Sequence, residues 1–188
     1  MDALELLLGR TSALKLAEPA PSAEELDVVL RSAVRAPDHG RLRPWRFVVI
    51  QADQRERFGE LMADSLRARS SDVSPELLQR ERAKAMRAPV IVVVAACVRT
   101  DRNIPAIEQI ASASAAAQNI MLAAHAQGFG AMWKTGAPAY DTAVKRSLGL
   151  ADADEIIGFM YLGTRVDGGA PASGPETADH VTVWRGRA

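Results

Sequence analysis

Three short clusters of polar residues carry the side chains that could do chemistry in this sequence. The first follows the leucine-rich N-terminus and contains Arg10, Thr11, Ser12 and Lys15. A guanidinium group offers a planar fork of N–H donors and the two hydroxyl groups add neutral hydrogen bonds, so this cluster could hold a phosphate dianion without a metal ion. Solvated polar groups beyond a helix end would show the same pattern. Both interpretations stay open at the local level.

The second cluster lies around a proline-containing turn that joins a predicted helix to a predicted strand. Arg35 and His39 lie on either side of Pro37, and Pro44 follows shortly after. Two prolines restrict the conformations of so short a loop, which could therefore present Arg35 and His39 at fixed positions to an anionic cofactor. An ordinary connection between a helix and a strand would look the same.

The third cluster lies where a predicted strand reaches a glycine, and it comprises Trp133, Lys134, Thr135 and Gly136. Lys134 could stabilise negative charge that develops on a bound group, and Gly136 would let that group approach the backbone N–H groups closely. A strand end whose tryptophan packs on the core is the structural alternative.

Composition and missing motifs disfavour several classes of function. Lys plus Arg and Asp plus Glu both number 23, so the neutral chain lacks the positive field that nucleic-acid binding needs. The histidines at positions 39, 125 and 180 and the single cysteine have no metal-ligand spacing, and we expect no metal site. No G-x-G-x-x-G, G-x-S-x-G or P-loop motif occurs, which argues against a βαβ dinucleotide fold, a serine hydrolase and an NTPase.

The elements that position these clusters are predicted from periodicity, caps and breakers. Helices are expected over 4–8, from Ser22 to about 35–37, twice within 54–87, over 107–127 and over 140–148. Strands are expected over 45–50, 89–97, 129–134 and 156–162. This order predicts an α+β fold with a central four- to five-stranded mixed sheet flanked by helices.

Length and apolar content fit one globular domain. The 188 residues, 48% of them apolar, are expected to form a single domain over 1–188, with an extended Gly- and Pro-rich tail over 165–188. Acidic residues stand at the N-terminus where a signal peptide has basic ones, and no apolar stretch is long enough to span a bilayer. We therefore expect a cytoplasmic protein with no membrane partner. Cys97, in an apolar run, is expected to be a buried thiol.

Taken together and in register, these segments resemble the nitroreductase family of flavoproteins, and within it the small YdjA-like NAD(P)H nitroreductases. The matching segments are residues 1–7, 17–21, 35–39, 44–45, 126–130 and 161–164. Several matches in one register are more specific than any single motif.

The resemblance implies a nitroreductase-like homodimer that binds FMN at its interface, with contacts from both subunits. The FMN-binding positions of the family fall on Arg10, Thr11, Ser12, Arg35, His39, Trp133, Lys134 and Thr135, with further contacts expected from Lys15 and Gly136. A stretch that contacts NAD(P)H falls on Ala123, Ala124, His125, Ala126, Gln127 and Gly128.

By the same resemblance, the chain is expected to be an enzyme that passes hydride from NADH or NADPH through FMN to an electron-poor small molecule, such as a nitroaromatic or a quinone, in a ping-pong sequence. The flavin carries the chemistry, so no catalytic side chain is expected. Two alternatives stay open. One is a flavoenzyme of the same fold with a different reaction, such as dehalogenation or oxidation of a specialised substrate. The other is a flavin-binding dimer without turnover.

The sequence departs from the family pattern at both ends of the expected cofactor site. Thr11 and Lys15 stand where arginines are usual, and Lys134 and Thr135 replace arginine and serine. Arg43 stands where glutamine is common. Because lysine lacks the bidentate fork of arginine, the lysine positions retain charge with less directional binding.

Overall fold

The computed structural model describes residues 1–166, 168, 174 and 176–186. Its helices are α1 (Ala3–Gly9), α2 (Ala23–Ala33), α3 (Gln54–Arg69), α4 (Pro75–Lys84), α5 (Ala106–Ala126) and α6 (Thr142–Ser147). Its strands are β1 (Leu16–Ala17), β2 (Trp45–Gln51), β3 (Val90–Ala96), β4 (Gly130–Lys134) and β5 (Glu155–Arg165). Short 3₁₀ turns occupy His39–Arg41, Ala85–Arg87, Ala137–Tyr140 and Thr177–Asp179.

Side-chain caps begin the two N-terminal helices. A capping box begins α2, in which the Glu25 backbone N–H donates to Ser22 Oγ (3.2 Å) and the Ser22 N–H donates to Glu25 Oε2 (2.8 Å). The same reciprocal arrangement begins α1, where Asp2 and Glu5 cap each other's backbone N–H groups. Asp2 and Glu5 therefore stabilise the start of α1.

The sheet has the strand order β2-β3-β5-β4, with β1 also pairing with β5. Each of the recorded pairings is antiparallel. The prediction of a mixed sheet was therefore wrong, although five strands agree with the expected number. The α3–α4 pair returns the chain to the end of the sheet that β2 reached, so β3 runs opposite to β2.

The long α5 crossover does leave β3 and β4 parallel to each other, as a mixed sheet would require. They do not pair, because β5 is inserted between them and runs antiparallel to both. The local sequence patterns predicted these strands correctly, but such patterns do not determine which strands pair with each other.

The apolar core lies on both faces of the central strand β3, whose seven residues are all buried. On one face, Val90, Val92 and Val94 belong to a cluster with Leu26 and Val29 of α2 and Ala116, Ala117 and Ile120 of α5. On the other face, Ile91 and Val93 belong to a cluster with Phe58 and Met62 of α3 and Val144 of α6. The alanine-rich α5 packs closely on the sheet, because its small side chains leave room for close approach.

Several boundaries differ from the sequence predictions. The helix α2 ends at Ala33, two residues before the predicted end, and the two-residue β1 was not predicted. The segment predicted as one helix over 140–148 is split, because Asp141 ends the preceding turn and caps α6. Parts of the predicted 165–188 tail, residues 167, 169–173, 175, 187 and 188, lie outside the described residues. Among the described helices, none combines the length and the apolar character needed to cross a membrane.

Candidate functional site

The first polar cluster lies in a loop that is tied to two strands. The Ala13 N–H donates to the Ala131 carbonyl (2.9 Å), and the Val166 N–H donates to the Lys15 carbonyl (3.3 Å). Between these contacts the chain enters β1, where Leu16 pairs with Arg165. The loop that carries residues 10–12 is therefore held against the start of β4 and the end of β5.

Gly130 lets this loop approach the sheet. A Cβ atom at Gly130 would lie 2.6 Å from Leu16 Cδ2 and 2.9 Å from the Ala13 Cβ, closer than real Cβ contacts come. No other residue would leave room for the loop in its present position.

Arg165 joins this cluster and was not among the predicted site residues. Its Nη1 donates to Thr11 Oγ1 (2.8 Å), and its Nη2 donates to the Ser12 carbonyl (2.6 Å). The last segment that resembles the family ends at position 164, one residue before Arg165. The pairing of β1 with β5 is what brings this second arginine to the loop.

Arg10 supplies the clearest sign of a ligand. Its Nη1 is fully buried and has no hydrogen-bond partner among the described residues. A buried donor that lacks an acceptor has lost its hydration without compensation, which is costly for a charged group. A phosphate oxygen at this position would supply the missing acceptor, so the donor set fits the phosphate of FMN.

Thr11 and Ser12 can add to such a site. The Thr11 hydroxyl accepts from Arg165 and keeps its own O–H to donate. Ser12 and Lys15 are exposed, so their side chains are open to a ligand or to solvent. The prediction that residues 10–12 bind the phosphate stays a prediction, but their surroundings are now known.

The second cluster is held in a hydrogen-bonded loop, as its prolines suggested. Asp38 accepts from the backbone N–H groups of Leu42 (3.2 Å) and Arg43 (2.7 Å), and Ser112 Oγ donates to the Pro37 carbonyl (2.6 Å). His39 Nδ1 lies 2.6 Å from Glu108 Oε2. This contact orients the imidazole and leaves Nε2 for a ligand.

Arg35 lies in a groove between three helices. With Leu6 of α1, Ser32 of α2 and Ala123 of α5 it borders an open cavity of about 390 Å³. The guanidinium is exposed there. It is therefore free to reach a ligand or another chain above the groove.

The first cluster and His39 of the second cluster lie at opposite ends of α5 within one chain. His39 contacts Glu108 in the first turn of α5, whereas Gly9 lies beside His125 in its last turn. At 1.5 Å rise per residue, positions 108 and 125 are about 25 Å apart. This distance exceeds the span of an FMN molecule, so the chain does not bring its own Arg10 and His39 to one cofactor.

The third cluster is only partly available for binding. Trp133 Nε1 donates to the Ile157 carbonyl (3.1 Å), and its indole packs on Gly158, so this side chain has the structural role that was the alternative. Lys134 and Thr135 are exposed, and Gly136 has a φ of 120°. That φ favours glycine and leaves the neighbouring backbone open to close approach.

Comparison with known proteins decides the family. The sequence model of the nitroreductase family matches residues 7–164.

The chain belongs to the nitroreductase family.

Curated relatives and solved structures agree with this assignment. The Escherichia coli (strain K12) protein named "Putative NAD(P)H nitroreductase YdjA" is 43% identical over 164 residues, covering 87% of this chain and 88% of that protein. A Haemophilus influenzae protein named "Putative NAD(P)H nitroreductase" is 36% identical over 168 residues, covering 89% of this chain and 90% of that protein.

Solved structures share the fold of this chain. The crystal structure of a nitroreductase-like family protein from Bacillus cereus superposes with a TM-score of 0.84 at 21% identity, covering 99% of this chain and 97% of that one. A Desulfovibrio desulfuricans structure determined in complex with FMN superposes with a TM-score of 0.74 at 23% identity, covering 100% and 99%. At these identities the likeness shows the nitroreductase fold.

In this nitroreductase-family chain, the segment predicted to contact NAD(P)H is largely structural. Ala124 is fully buried, Gln127 Nε2 donates to the Glu25 carbonyl (3.2 Å), and Gly128 ends α5 with a φ of 85°. Ala123 and Ala126 border the Arg35 groove. Their role toward a nicotinamide stays a prediction.

Cys97 is not set up as a nucleophile in this family member. The thiol is half-buried, and burial raises its pKa, with the charge of Asp154 acting in the same direction. A hydrogen bond involving Arg46 opposes this shift only in part. The thiol therefore stays protonated at neutral pH, when the thiolate would be the reactive form.

Proposed function

We propose that this chain is an FMN-dependent NAD(P)H oxidoreductase of nitroreductase type. The buried, unpartnered Nη1 of Arg10 carries the proposal, because it is a charged donor in need of an anionic acceptor. Its neighbours Thr11 and Ser12 are held in place by Arg165. Membership of the nitroreductase family, together with the structural neighbour determined in complex with FMN, supports FMN over other phosphate-bearing ligands.

Each end of the cofactor would be held by a different part of the chain. Arg10, Thr11, Ser12 and Arg165 would bind the phosphate, with Lys15 at the margin. At the ring end, the backbone N–H groups around Thr135 and Gly136 would donate to the flavin, and the Lys134 cation would stabilise negative charge on it.

FMN, when bound, supplies the hydride chemistry that links NADH or NADPH to an electron-poor acceptor such as a nitroaromatic or a quinone. The residues of the chain bind and orient the reactants. Solvent reaches the exposed Lys134 and Thr135, so it can supply protons without a dedicated acid.

We further propose that the functional unit is a homodimer with FMN at its interface. The distance of about 25 Å between the two ends of α5 supports this, because His39 could meet Arg10 only across two subunits. Helix α1 supports it independently, since Leu4, Leu7 and Leu8 are exposed, Leu8 by 83%. A second subunit would cover this apolar face, and a two-fold axis would create two equivalent sites.

Flavin absorbance and anaerobic reduction test the proposal directly. We expect the purified protein to be yellow, or to become so with FMN, and to bleach when NADH or NADPH is added without oxygen. A protein that takes up no FMN would refute the flavoenzyme. If FMN binds but neither nicotinamide reduces it, the chain is a flavin-binding dimer without turnover.

A panel of acceptors then separates the remaining reactions. We expect the reduced protein to be reoxidised by nitroaromatics or quinones in stopped-flow measurements. Reoxidation by oxygen alone, together with turnover of a halogenated or otherwise specialised substrate, would instead assign another reaction to the same fold.

A further inference from the structure

A small cavity at the end of β4 extends beyond the proposed cofactor contacts and shares only Lys134 and Thr135 with them. Its volume is about 190 Å³, and three cationic residues, Lys84, Arg87 and Lys134, border it. This volume lies below the range of about 300–1,000 Å³ typical of pockets for whole drug-sized ligands. The cavity is therefore suited to a small molecule or to one substituent of a larger one.

The positive charge around this cavity is only partly compensated. Lys84 pairs with Glu81, whereas neither Arg87 nor Lys134 has an ion-pair partner in the described part of the chain. Arg87 and Lys134 are exposed side chains that border the same cavity, and two positive charges at one site favour an anion there.

Rigid elements hold the cations that lack partners. Arg87 ends the turn Ala85–Arg87 between the buried residues Ala85 and Ala88, and Arg55 Nη1 donates to the Ala88 carbonyl (3.1 Å). Lys134 is the last residue of β4 and pairs with Phe159 of β5. The backbone positions of Arg87 and Lys134 at the cavity are therefore fixed.

The remaining lining residues are mainly apolar, and Thr135 and Tyr161 each carry a hydroxyl group. Met62 and Phe159 are buried, and the Phe159 ring packs against Phe58 with 5.6 Å between centroids. Tyr161 also lines the cavity. Burial raises the pKa of Tyr161 to about 12, against the opposing charge of Arg87, so its phenol stays protonated and can donate a hydrogen bond.

We propose that this cavity binds a small organic acid, with the carboxylate against Arg87 and Lys134 and a short apolar body against Met62 and Phe159. A bare inorganic anion would leave the apolar surface unused, and a neutral molecule would leave the two cations without a partner. Because Lys134 and Thr135 also form the proposed ring end, the acid would lie beside the flavin. Only this last step rests on the proposed function.

Calorimetric titration with cyclohexanecarboxylate tests the binding. This acid is not planar and does not stack on a flavin, which separates the cavity from the flavin face. We expect saturable binding both to the protein as purified and after FMN addition, and none of the neutral cyclohexanecarboxamide. Absence of binding at millimolar acid, or equal binding of the amide, overturns the proposal. Because the titration needs no turnover, it succeeds or fails independently of the oxidoreductase activity.

Variants of Arg87 test whether this residue forms part of the acid-binding site. Arg87→Gln should raise the Kd of the acid at least tenfold, and Arg87→Lys should restore part of the affinity. Arg80→Gln, on the exposed side of α4, is the matched control and should bind as the parent does. An unchanged Kd in Arg87→Gln, with thermal melting showing a folded protein, would refute the assignment. Displacement of the acid by equimolar inorganic phosphate would also contradict it, since the apolar body would then contribute nothing.

Discussion

At the scale of single residues, two arginines have different roles at the proposed phosphate end. Arg165 donates to Thr11 and to the Ser12 carbonyl and thereby positions the loop. Arg10 keeps a buried N–H group that no described residue satisfies. In a medium of low dielectric constant, a charge-assisted hydrogen bond to this group is stronger than one made in water. We therefore propose Arg10 as the residue that contacts the phosphate and Arg165 as the residue that positions the loop.

Removing Arg10 tests this division. Arg10→Ala should weaken FMN binding by about 1.5–3 kcal/mol, or about 10- to 150-fold in Kd, because one charge-assisted contact is lost. Fluorescence titration of FMN measures the effect. Arg57→Ala, an exposed arginine on α3, serves as the control and should leave the Kd unchanged. Equal FMN affinity in the Arg10 variant and the parent would exclude Arg10 from the phosphate site.

A second residue-scale prediction concerns the fit of the loop. Gly130→Ala places a Cβ within 2.6 Å of Leu16 and 2.9 Å of Ala13, so the loop must move away from β4. We expect weaker FMN binding and a loss of stability of about 1–3 kcal/mol, as for other overpacked sites. Urea unfolding and FMN titration measure the two effects. Gly9→Ala is the control, since its Cβ would meet His125 at an ordinary 3.9 Å. Unchanged FMN affinity in Gly130→Ala would show that the position of the loop does not matter for binding.

At the scale of elements, Asp141 secures the far end of the loop that follows β4. Its Oδ1 accepts from the N–H groups of Ala143 (2.8 Å) and Val144 (3.4 Å), which begins α6, and its Oδ2 accepts from Ser65 Oγ on α3. The loop that carries Thr135 and Gly136 is therefore anchored by β4 before it and by this cap after it. The cap of α6 therefore helps to hold the loop of the proposed ring end in place.

Replacing Asp141 should reveal this anchor as a loss of stability. Asp141→Ala removes the cap and the Ser65 contact, and we expect it to cost about 1–2 kcal/mol in the free energy of unfolding. Asp141→Asn retains an acceptor oxygen and should cost less. Thr142→Ala, exposed at the next position, is the control. Equal stability of the alanine variant and the parent in urea unfolding would contradict the capping role.

The same residue predicts a pH dependence. Burial tends to raise the pKa of Asp141, but hydrogen bonds from Ser65, Ala143 and Val144, together with the charge of Arg69, hold it below its ordinary value. The stabilisation is thus complete above the unfolded carboxyl pKa of about 3.9 and is lost as the pH falls through the lower folded value. Unfolding free energies measured from pH 6 to pH 2 should fall less steeply in Asp141→Asn. Parallel curves for the variant and the parent would rule this contribution out.

At the scale of the whole molecule, the exposed leucines of α1 and the separation of His39 from Arg10 along α5 support the proposed second subunit. A seven-residue helix without a buried residue contributes little to the stability of one chain. The same helix gains a role if its apolar face is covered by a partner. Its last residue also adjoins Arg10, so assembly and cofactor binding would be coupled.

Charge on this face should break the assembly. Leu8→Glu should convert a dimer into a monomer in light-scattering measurements and reduce FMN retention, because the site would lose the residues of the second subunit. Leu77→Glu, on the exposed part of α4, is the control and should remain dimeric. A parent protein that is monomeric with FMN bound would refute the two-subunit site. A dimeric Leu8→Glu variant would place the interface elsewhere.

Local signals in the sequence determined the elements and most of the polar clusters. Capping at Ser22, the β-branched run of β3 and the alanine-rich α5 were predicted because neighbouring residues along the chain set caps, propensity and periodicity. The polar residues around positions 10, 35 and 134 were recognised for the same reason. Their chemical types are visible without a fold.

Only the tertiary structure decided how these parts meet. The insertion of β5 between β3 and β4 makes the sheet antiparallel. The pairing of β1 with β5 brings Arg165 to Thr11. The indole N–H of Trp133 donates a hydrogen bond to the Ile157 carbonyl. Each of these contacts joins residues far apart in the chain. Such pairings depend on which faces are buried together, and a local pattern that fits several neighbours cannot select one.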